Sequence, residues 1–335
     1  MPRPEVVEDV AAVDVLAAAD PLAAFADAHR HGRLLALSTS GTAASPRTVL
    51  RTTDSWVASF PHVSDLLALD GSSRVWVPGP VTATMNLFAA AHVQWAGAAL
   101  ASGPDDATHA HLTPSVLRRE LAVRPAALSG VHVLVAGDRL EPATYDDACT
   151  AGARVSHYYG AAELSFVAWG DHADALRPFP GVEVVARGGE LWVRSPYTCR
   201  GYRGNDRVLR RDEDGWTTVG DRGVVADGGV RVLGRAGGIT TGGATVVVAE
   251  IEHRLRAHAS GEVAVVGAPH PDLGEVVVAV VTSREDLHRL RSTCREVLAP
   301  AERPRRWVHV DAMPLMTGGK IDRLALATLA DGAGT

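Results

Sequence analysis

Short apolar runs alternate with stretches of helical periodicity through the first half of the chain. The runs have the length and composition of buried strands, and they lie at residues 34–38, 75–77, 131–137 and 153–158. Segments of helical character separate them, at residues 84–96, 114–121 and 143–151. An alanine-rich stretch at residues 5–31 predicts one or two further helices, broken near Pro21. This alternation of strand and helix indicates an α/β fold built on a largely parallel sheet.

The pattern changes twice in the second half of the chain. Short β segments split by glycine and aspartate turns predict a small antiparallel sheet or barrel, and they lie at residues 182–185, 190–193, 215–218 and 230–233. From residue 236 onward a compact α+β pattern follows, with helices at 250–258 and 285–298 and strands at 262–266, 276–282 and 306–310. The change near Gly234 fits a domain boundary, so we expect one domain over residues 1–234 and a second over residues 235–335.

Composition and charge narrow the class of partner. The 335 residues are 46% hydrophobic and 21% charged with a net charge of −6, so the chain can bury a core and has no basic footprint for nucleic acid. No apolar run approaches roughly 18 residues, which argues against a membrane span. The N-terminus is acidic where a signal peptide would be basic, and Cys149, Cys199 and Cys294 are too scattered for a disulfide framework or a zinc site. We therefore expect a cytoplasmic protein.

Three polar segments have the composition of ligand-binding loops. Residues 39–47 combine hydroxyls, a glycine and a cation directly after a predicted strand, and such a loop can turn N–H groups toward phosphate oxygens. Tyr159 and Glu163 follow another predicted strand, where a ring can stack on a base and a carboxylate can hold Mg²⁺. Lys320, the only lysine in the chain, lies between glycines and an isoleucine. Taken singly, these segments have ordinary alternatives: a surface turn, a core tyrosine with a surface glutamate, and a solvated lysine.

The order and spacing of the segments carry more information than any one of them. They recur in a fixed series with residues 189–193, 201–202, 215–221, 234–235 and 318–323. This series resembles the adenylate-forming superfamily, which comprises acyl-CoA synthetases, adenylation domains of peptide synthetases, and luciferases. The resemblance runs from about Leu34 to Leu326. It implies that ATP activates a carboxylate as an acyl-adenylate, which then passes to a thiol of CoA or of phosphopantetheine on an acyl carrier protein.

The resemblance also implies a role for each matching position. Residues that hold the ATP phosphates are Thr39, Ser40, Gly41, Thr42 and Arg47. Residues of the adenine site are Gly137, Asp138, Tyr159 and Gly160. Residues of the ribose site are Asp221 and Arg235, and residues beside the pantetheine arm are Gly242 and Gly243. Glu163 is implied as a catalytic residue and the Mg²⁺ ligand, and Lys320 as the catalytic lysine of adenylation.

The chain departs from the family pattern at several positions. Ala43 and Ala44 replace a threonine and a glycine of the phosphate loop, Arg47 replaces its lysine, and Ala162 replaces a hydroxyl. These losses favour a degenerate nucleotide-binding scaffold protein, whereas the retained carboxylates and Lys320 favour a ligase. A ligase that passes the adenylate to an amine or another acceptor is a further alternative. The acid–thiol ligase is the leading prediction.

The acyl site is predicted to be apolar. Four side chains are predicted as its walls: Met85, Phe88, Trp95 and Leu112. Ala83 takes the place where many relatives carry a histidine or an aromatic residue, and three nearby histidines are interpreted as structural: His92, His109 and His111. No charged residue stands out as an anchor for a second carboxylate, so we expect a small apolar acyl or aryl acid.

The resemblance finally implies a two-part fold with a shortened front end. We expect a truncated large N-terminal domain, with a mainly parallel sheet and a small β subdomain, followed by a mobile small α+β C-terminal domain. Only 38 residues precede the phosphate loop, fewer than in the family. Apolar sheet surface left uncovered should be buried by a second copy of the chain or by a partner subunit. Gly237 and Gly238, at the hinge position, would permit rotation.

Overall fold

The computed structural model describes residues 12–39, 47–203, 209–235 and 238–332 of the chain. These residues form two compact units. The first comprises the described residues up to Gly220 together with Val224–Val232 and Thr317–Lys320. The second comprises Asp221–Gly223, Leu233–Met316 and the described residues from Ile321 onward. The domain boundary expected after residue 234 stays a prediction.

Strands are numbered here in chain order. They are β1 (Val13–Asp14), β2 (Leu34–Thr39), β3 (Arg47–Thr52), β4 (Arg74–Trp76), β5 (Ala99–Ala101), β6 (His109–Leu112), β7 (His132–Val135), β8 (Arg154–Ala161), β9 (Ser165–Gly170), β10 (Arg177–Pro178) and β11 (Glu183–Arg187). The remainder are β12 (Glu190–Arg194), β13 (Gly201–Tyr202), β14 (Arg210–Arg211), β15 (Thr217–Thr218), β16 (Asp221–Ala226), β17 (Gly229–Arg235), β18 (Ile239–Thr241), β19 (Ala244–Val246), β20 (Val263–His270), β21 (Gly274–Val281) and β22 (Arg306–His309).

Helices follow the same convention. They are α1 (Pro21–Arg30), α2 (Asp54–Val57), α3 (Phe60–Leu67), α4 (Thr84–Trp95), α5 (Pro114–Val123), α6 (Pro142–Thr150), α7 (Val248–Arg256), α8 (Arg284–Val297) and α9 (Arg323–Gly332). Short 3₁₀ turns occur at Val15–Ala17, Pro104–Asp106 and Pro125–Leu128. None of the helices in the described ranges is long and apolar enough to cross a membrane.

Helical structure near the start of the chain is shorter than the alanine-rich pattern predicts. Val13–Asp14 is a strand, and α1 begins only at Pro21. Asp20 caps this helix, because its Oδ1 accepts hydrogen bonds from the Leu22 and Ala23 amides at 3.1 and 3.0 Å, and proline is favoured at the first helical position. The expected break is therefore a helix start, and residues 12–20 form a short strand and a 3₁₀ turn in place of the predicted α-helix.

A seven-stranded sheet runs through the first unit, with strand order β10-β9-β8-β7-β6-β4-β5. Strands β4 to β8 are parallel to one another, whereas β9 pairs antiparallel with β8 and β10 pairs antiparallel with β9. The register places His109 opposite His132 and Leu112 opposite Val135. The prediction of an α/β fold with a largely parallel sheet is confirmed.

The two faces of this sheet have separate cores. One core joins β6 and β7 to α5: Leu112, Val133, Val135 and Leu117. The other joins β7 to α3 and α4: Leu134, Phe60, Val63, Leu87 and Phe88. Because successive side chains of a strand point to opposite faces, neighbouring positions of β7 contribute to different cores.

A four-stranded sheet contains the two strands that flank the predicted phosphate loop. Its order is β1-β2-β3-β13, and β2 pairs antiparallel with β3. Thr39 lies opposite Arg47, so the two ends of the predicted loop meet in a hairpin. The apolar pattern predicted β2 but missed β3. Residues 40–46 lie outside the described ranges.

A six-stranded sheet follows, with order β14-β15-β12-β16-β17 and β11 paired to β12. The pairs β11–β12, β12–β15 and β14–β15 are antiparallel. Short strands split by tight turns therefore build a small antiparallel sheet, as the glycine and aspartate spacing predicts.

The second unit contains a five-stranded sheet with order β19-β18-β21-β20 and β22 parallel to β21. Helices α7 and α8 contribute to one core of this sheet and α9 to another. The buried Glu252 of α7 accepts from the Val265 amide at 2.8 Å and from Arg323 Nη1 at 2.6 Å, and so joins α7, β20 and α9. The α+β prediction is confirmed, although α9 was not foreseen.

Candidate active site

The carboxyl ends of β6, β7 and β8 meet at one edge of the seven-stranded sheet. Thr113 follows β6, Gly137 follows β7 closely, and Tyr159 and Gly160 lie near the end of β8. Open α/β sheets bind their ligands at this edge, because the loops after neighbouring parallel strands lie side by side. The predicted adenine-site residues therefore come together in the first unit.

The segment Thr317–Lys320 also belongs to this unit and lies against the same edge. Thr113 Oγ1 donates a hydrogen bond to the Gly319 carbonyl at 2.8 Å. A Cβ atom placed on Gly137 would lie 2.8 Å from Lys320 Cε, and Gly137 has φ +93°. A side chain at residue 137 would therefore be strained and would collide with the lysine stem. The structure places the predicted lysine and the predicted adenine-site turn in direct contact.

Glu163 lies in the tight turn between β8 and β9. Gly160 is required here by packing, since a Cβ atom on it would lie 2.2 Å from the Ser165 carbonyl oxygen. The Glu163 side chain is buried, and its Oε1 accepts a hydrogen bond from the Tyr202 hydroxyl at 2.6 Å. The predicted strand was too short, because β8 continues through Ala161. Glu163 thus provides a carboxylate in the β8–β9 turn, and a hydrogen bond from Tyr202 of β13 holds it in place.

Arg51 is a site residue that the sequence reasoning missed. Its side chain is fully buried, and it donates to the Ala162 carbonyl at 2.8 Å and to the Tyr197 carbonyl at 2.6 Å. Burial lowers the pKa of Arg51 to about 10, so the guanidinium stays charged at neutral pH. The carbonyl just before Glu163 is therefore fixed by a buried cation. An arginine inside the apolar strand β3 is the sequence signal that could have pointed to it.

The remaining predicted residues fall elsewhere. Asp221, Arg235, Gly242 and Gly243 belong to the second unit. Asp221 is buried at the start of β16, and the two glycines form the turn of the β18–β19 hairpin with φ +55° and +82°. Gly242 and Gly243, which the resemblance places beside the pantetheine arm, therefore lie in the turn of a paired hairpin.

The phosphate-loop predictions fall partly outside the described ranges. Ser40, Gly41 and Thr42 lie in the segment that the structure does not describe, as do Ala43 and Ala44. Thr39 ends β2 and Arg47 begins β3. The roles assigned to these residues stay predictions.

Comparison with known sequences gives a family and two curated relatives. The family of the AMP-binding enzyme C-terminal domain matches residues 250–320. An uncharacterized acyl–CoA ligase, YhfT of Bacillus subtilis, is 28% identical over 85% of this chain and 66% of its own length. The 2-succinylbenzoate–CoA ligase of Escherichia coli is 29% identical over 65% of this chain and 50% of its own length. The chain thus spans less than two thirds of the length of either relative.

Comparison with solved structures agrees with the comparison of sequences. E. coli MenE with bound OSB-AMS superposes with a TM-score of 0.79 at 26% identity, over 90% of this chain and 70% of that one. The chain is similar in sequence and fold to enzymes of the adenylate-forming superfamily. A second structure of similar fold is the amide bond synthetase McbA from Marinactinospora thermotolerans, with a TM-score of 0.73 at 28% identity, over 89% of this chain and 69% of that one.

Within this adenylate-forming fold, the predicted acyl-pocket walls do not form one surface. Leu112 packs in the core on the α5 face of the sheet, whereas Phe88 packs on the α4 face, so the prediction of a shared pocket was wrong. Trp95 is 48% exposed at the end of α4. The prediction failed because successive side chains of β6 point to opposite faces of the sheet, and that of Leu112 points away from α4.

The structural interpretation of the nearby histidines holds for two of them. His92 Nε2 lies 2.9 Å from Ser64 Oγ, and His109 Nε2 lies 3.1 Å from the Leu67 carbonyl oxygen. His111 differs, because its buried Nε2 has no hydrogen-bond partner among the described residues.

Proposed function

We propose that this chain activates a small carboxylic acid with ATP and transfers the acyl group to the thiol of CoA or of phosphopantetheine on an acyl carrier protein. The observation that carries the proposal is the contact between the sole lysine and Gly137 at the ligand-binding edge of the sheet. The naming of both curated relatives as CoA ligases supports it.

In this reaction a carboxylate oxygen of the acid attacks the α-phosphorus of ATP, the acyl-adenylate forms and pyrophosphate leaves. Lys320 would place its ammonium beside the developing negative charge, which is where a fixed cation accelerates phosphoryl chemistry. Tyr159 would stack on the adenine beside Gly137 and Asp138. Asp221 would accept hydrogen bonds from the ribose hydroxyls, and Arg235 would support the ribose.

The Glu163 carboxylate fits the role of a Mg²⁺ ligand. Mg²⁺ is usually held by one or two carboxylates and completes its octahedron with phosphate oxygens and water. Glu163 Oε1 is oriented by the Tyr202 hydroxyl at 2.6 Å, and Arg51 fixes the preceding carbonyl. Bound there, Mg²⁺ would neutralise phosphate charge, while Tyr202 and Arg51 keep the carboxylate in one orientation.

Residues 235–335 would act as the mobile C-terminal domain. Lys320 serves adenylation, and the β18–β19 turn with Gly242 and Gly243 would approach the pantetheine arm in the thiol step. Gly242 and Gly243 have positive φ, which glycine adopts without the steric cost of a Cβ atom.

An amine acceptor is the second candidate function, because the neighbouring McbA structure is named an amide bond synthetase. The two functions differ in what consumes the adenylate. A thiol ligase should release product only when CoA or a carrier thiol is supplied, whereas an amide synthetase should release product with an amine alone.

The test is acid-dependent pyrophosphate release across a panel of carboxylates, with and without CoA. The proposal predicts release with at least one acid and a thioester product when CoA is present. Absence of acid-dependent release across the panel would favour the nucleotide-binding scaffold.

We also propose that a second copy or a partner subunit covers apolar surface near the edge strand β5. Leu100 of β5 is 50% exposed, Trp95 of α4 is 48% exposed and Leu66 of α3 is 37% exposed. Light scattering at low micromolar concentration should show a species larger than the monomer. A monomer that stays active without a partner would contradict this proposal.

A further inference from the structure

A small cavity lies between the seven-stranded sheet and the helices α3 and α4. Its volume is about 20 Å³. Most of its wall is apolar, and it includes Val63, Phe88 and Leu134. A space of this size holds one water-sized group. The cavity is therefore suited to a single polar atom in apolar surroundings.

Three histidines supply the polar atoms of this wall, and two of them are already satisfied within the fold. His92 and His109 use their Nε2 atoms on Ser64 and on the Leu67 carbonyl. His111 is 4% exposed, and its Nε2 has no partner in the part of the chain that the structure describes. Leaving a buried polar atom unpaired costs about 1–3 kcal/mol, so such an atom needs a reason.

The charge state of His111 limits what can bind it. Burial, with a smaller contribution from the nearby His92, lowers the pKa of His111 to about 3. The imidazole is therefore neutral at physiological pH. A neutral imidazole can donate or accept one hydrogen bond at Nε2, depending on its tautomer.

His111 lies close to the proposed reaction centre. It precedes Thr113, the residue that follows β6, by two positions, and the Thr113 hydroxyl bonds the Gly319 carbonyl beside Lys320. Two residues of a strand span about 6.6 Å. The ring of Tyr158, next to the predicted adenine-stacking Tyr159, lies 5.9 Å from the His111 ring.

We propose that His111 marks the far end of the acyl pocket and selects an acid that carries an uncharged hydroxyl at its distal end. This inference rests on the proposed function. A hydroxyl is water-sized and can both donate and accept, so it suits either tautomer of His111. A second carboxylate is disfavoured, because no lysine or arginine lines the cavity among the described residues and a buried charge without a partner is costly.

This specificity differs from that named for the relatives. 2-Succinylbenzoate and malonate, the acids in the names of the E. coli relative and of a human mitochondrial one that is 40% identical over 44% of this chain, both carry two carboxyl groups. The cavity beside His111 would exclude acids of that kind and accept their hydroxyl-ended counterparts.

Calorimetric binding without ATP tests the inference directly. The probes are two matched sets: benzoate with its para-hydroxy and para-carboxy derivatives, and hexanoate with its omega-hydroxy and omega-carboxy derivatives. In at least one set, the hydroxy acid should bind the native chain about tenfold more tightly than its parent, the value of one buried hydrogen bond. The dicarboxylate should bind most weakly.

Variants assign this preference to one side chain. His111→Phe should remove the preference for the hydroxy acid, and His111→Gln, which can still form a hydrogen bond, should retain part of it. His157→Phe is the matched control, because His157 is a buried strand histidine that bonds the Val135 carbonyl and lies outside the cavity wall. Its preference should equal that of the native chain.

Several results would overturn the inference. These are equal binding of parent and hydroxy acid, a preference that survives in His111→Phe, tightest binding by the dicarboxylate, and no binding by any probe. Failure of the proposed function looks different. In that case the hydroxy acid binds through His111, yet the native chain with ATP releases no pyrophosphate in response to it.

Discussion

The two faces of strands β6 and β7 differ sharply in chemistry although they belong to the same four-residue strands. Toward α5, the strands present apolar side chains that pack in one core: Ala110, Leu112, Val133 and Val135. Toward α3 and α4, they present three histidines and the cavity beside one of them: His109, His111 and His132. This side of the sheet, with His92 of α4 packed against it, is called the histidine face. A sheet face packed only with apolar atoms gives stability, whereas buried polar groups must be satisfied or kept for a ligand. The acyl specificity proposed for His111 lies on this histidine face.

Lowering the pH should have the largest effect, because it destabilises the packing of the histidine face and leaves the apolar face unchanged. Burial lowers the pKa of His92 and of His132 to about 4 and that of His111 to about 3. The unfolded chain binds these protons near pH 6.5, so stability is complete above that pH and is lost as the pH falls toward the folded values. Each unit of depression is worth about 1.4 kcal/mol, so the loss should reach several kcal/mol.

Urea unfolding at neutral and at mildly acidic pH measures this loss. His92→Phe should reduce the pH dependence, and the exposed His258→Gln should leave it unchanged. A free energy of unfolding that stays constant between these pH values would show that the histidine face is not buried as described.

Truncation on the apolar face should have the next largest effect. Leu112 is fully buried, so Leu112→Ala removes packed methyl groups and leaves a cavity, at a cost of about 2–5 kcal/mol. Val123→Ala is the control, since Val123 is 72% exposed at the end of α5. Denaturant unfolding at neutral pH compares them. An equal loss in both variants would contradict the assignment of Leu112 to a core.

The buried cation beside Glu163 should matter somewhat less. Arg51→Met leaves the Ala162 and Tyr197 carbonyls without their guanidinium donors, and an unsatisfied buried acceptor costs about 1–3 kcal/mol. Arg30→Met, on a side chain that is 71% exposed, should be nearly neutral. The same denaturant titration distinguishes them, and a neutral Arg51→Met would mean that other donors reach those carbonyls.

The smallest expected effect is the difference in stability between variants of two residues on the histidine face, His109 and His111. His109→Phe loses the contact with the Leu67 carbonyl and should cost about 1 kcal/mol. His111→Phe replaces an unpaired polar ring by an apolar one and should cost nothing or stabilise slightly. If His111→Phe were the more damaging of the two, Nε2 of His111 would have a structural partner.

These contrasts also show what the sequence could predict. The parallel strands β4, β7 and β8 were predictable because they combine apolar runs with glycine and proline boundaries, whereas β6, which contains two histidines, was not predicted. Lys320, Gly137 and Tyr159 were predictable because they recur in a fixed series of motifs. Local pattern encodes both kinds of information.

Contacts between residues that are far apart in the chain could not be predicted from the local pattern. Arg51 bonds carbonyls more than a hundred residues away in the chain, and Tyr202 reaches Glu163 from another sheet. The unpaired state of His111 depends on where α3 and α4 place their polar groups. The start of α1 was mispredicted because the alanine-rich pattern was given more weight than the capping residue Asp20. Leu112 was assigned to the wrong face because the alternation of side chains along β6 was not considered.

The central claim is that Lys320 provides the cation of adenylation at the edge of the parallel sheet. Its most direct test is acid-dependent pyrophosphate release by Lys320→Ala, together with thioester formation from supplied acyl-adenylate. Adenylation should fall by about two to three orders of magnitude or more, the effect of removing a preorganised charge donor, while the thiol step survives. Equal loss of both half-reactions, or unchanged adenylation, would contradict the account.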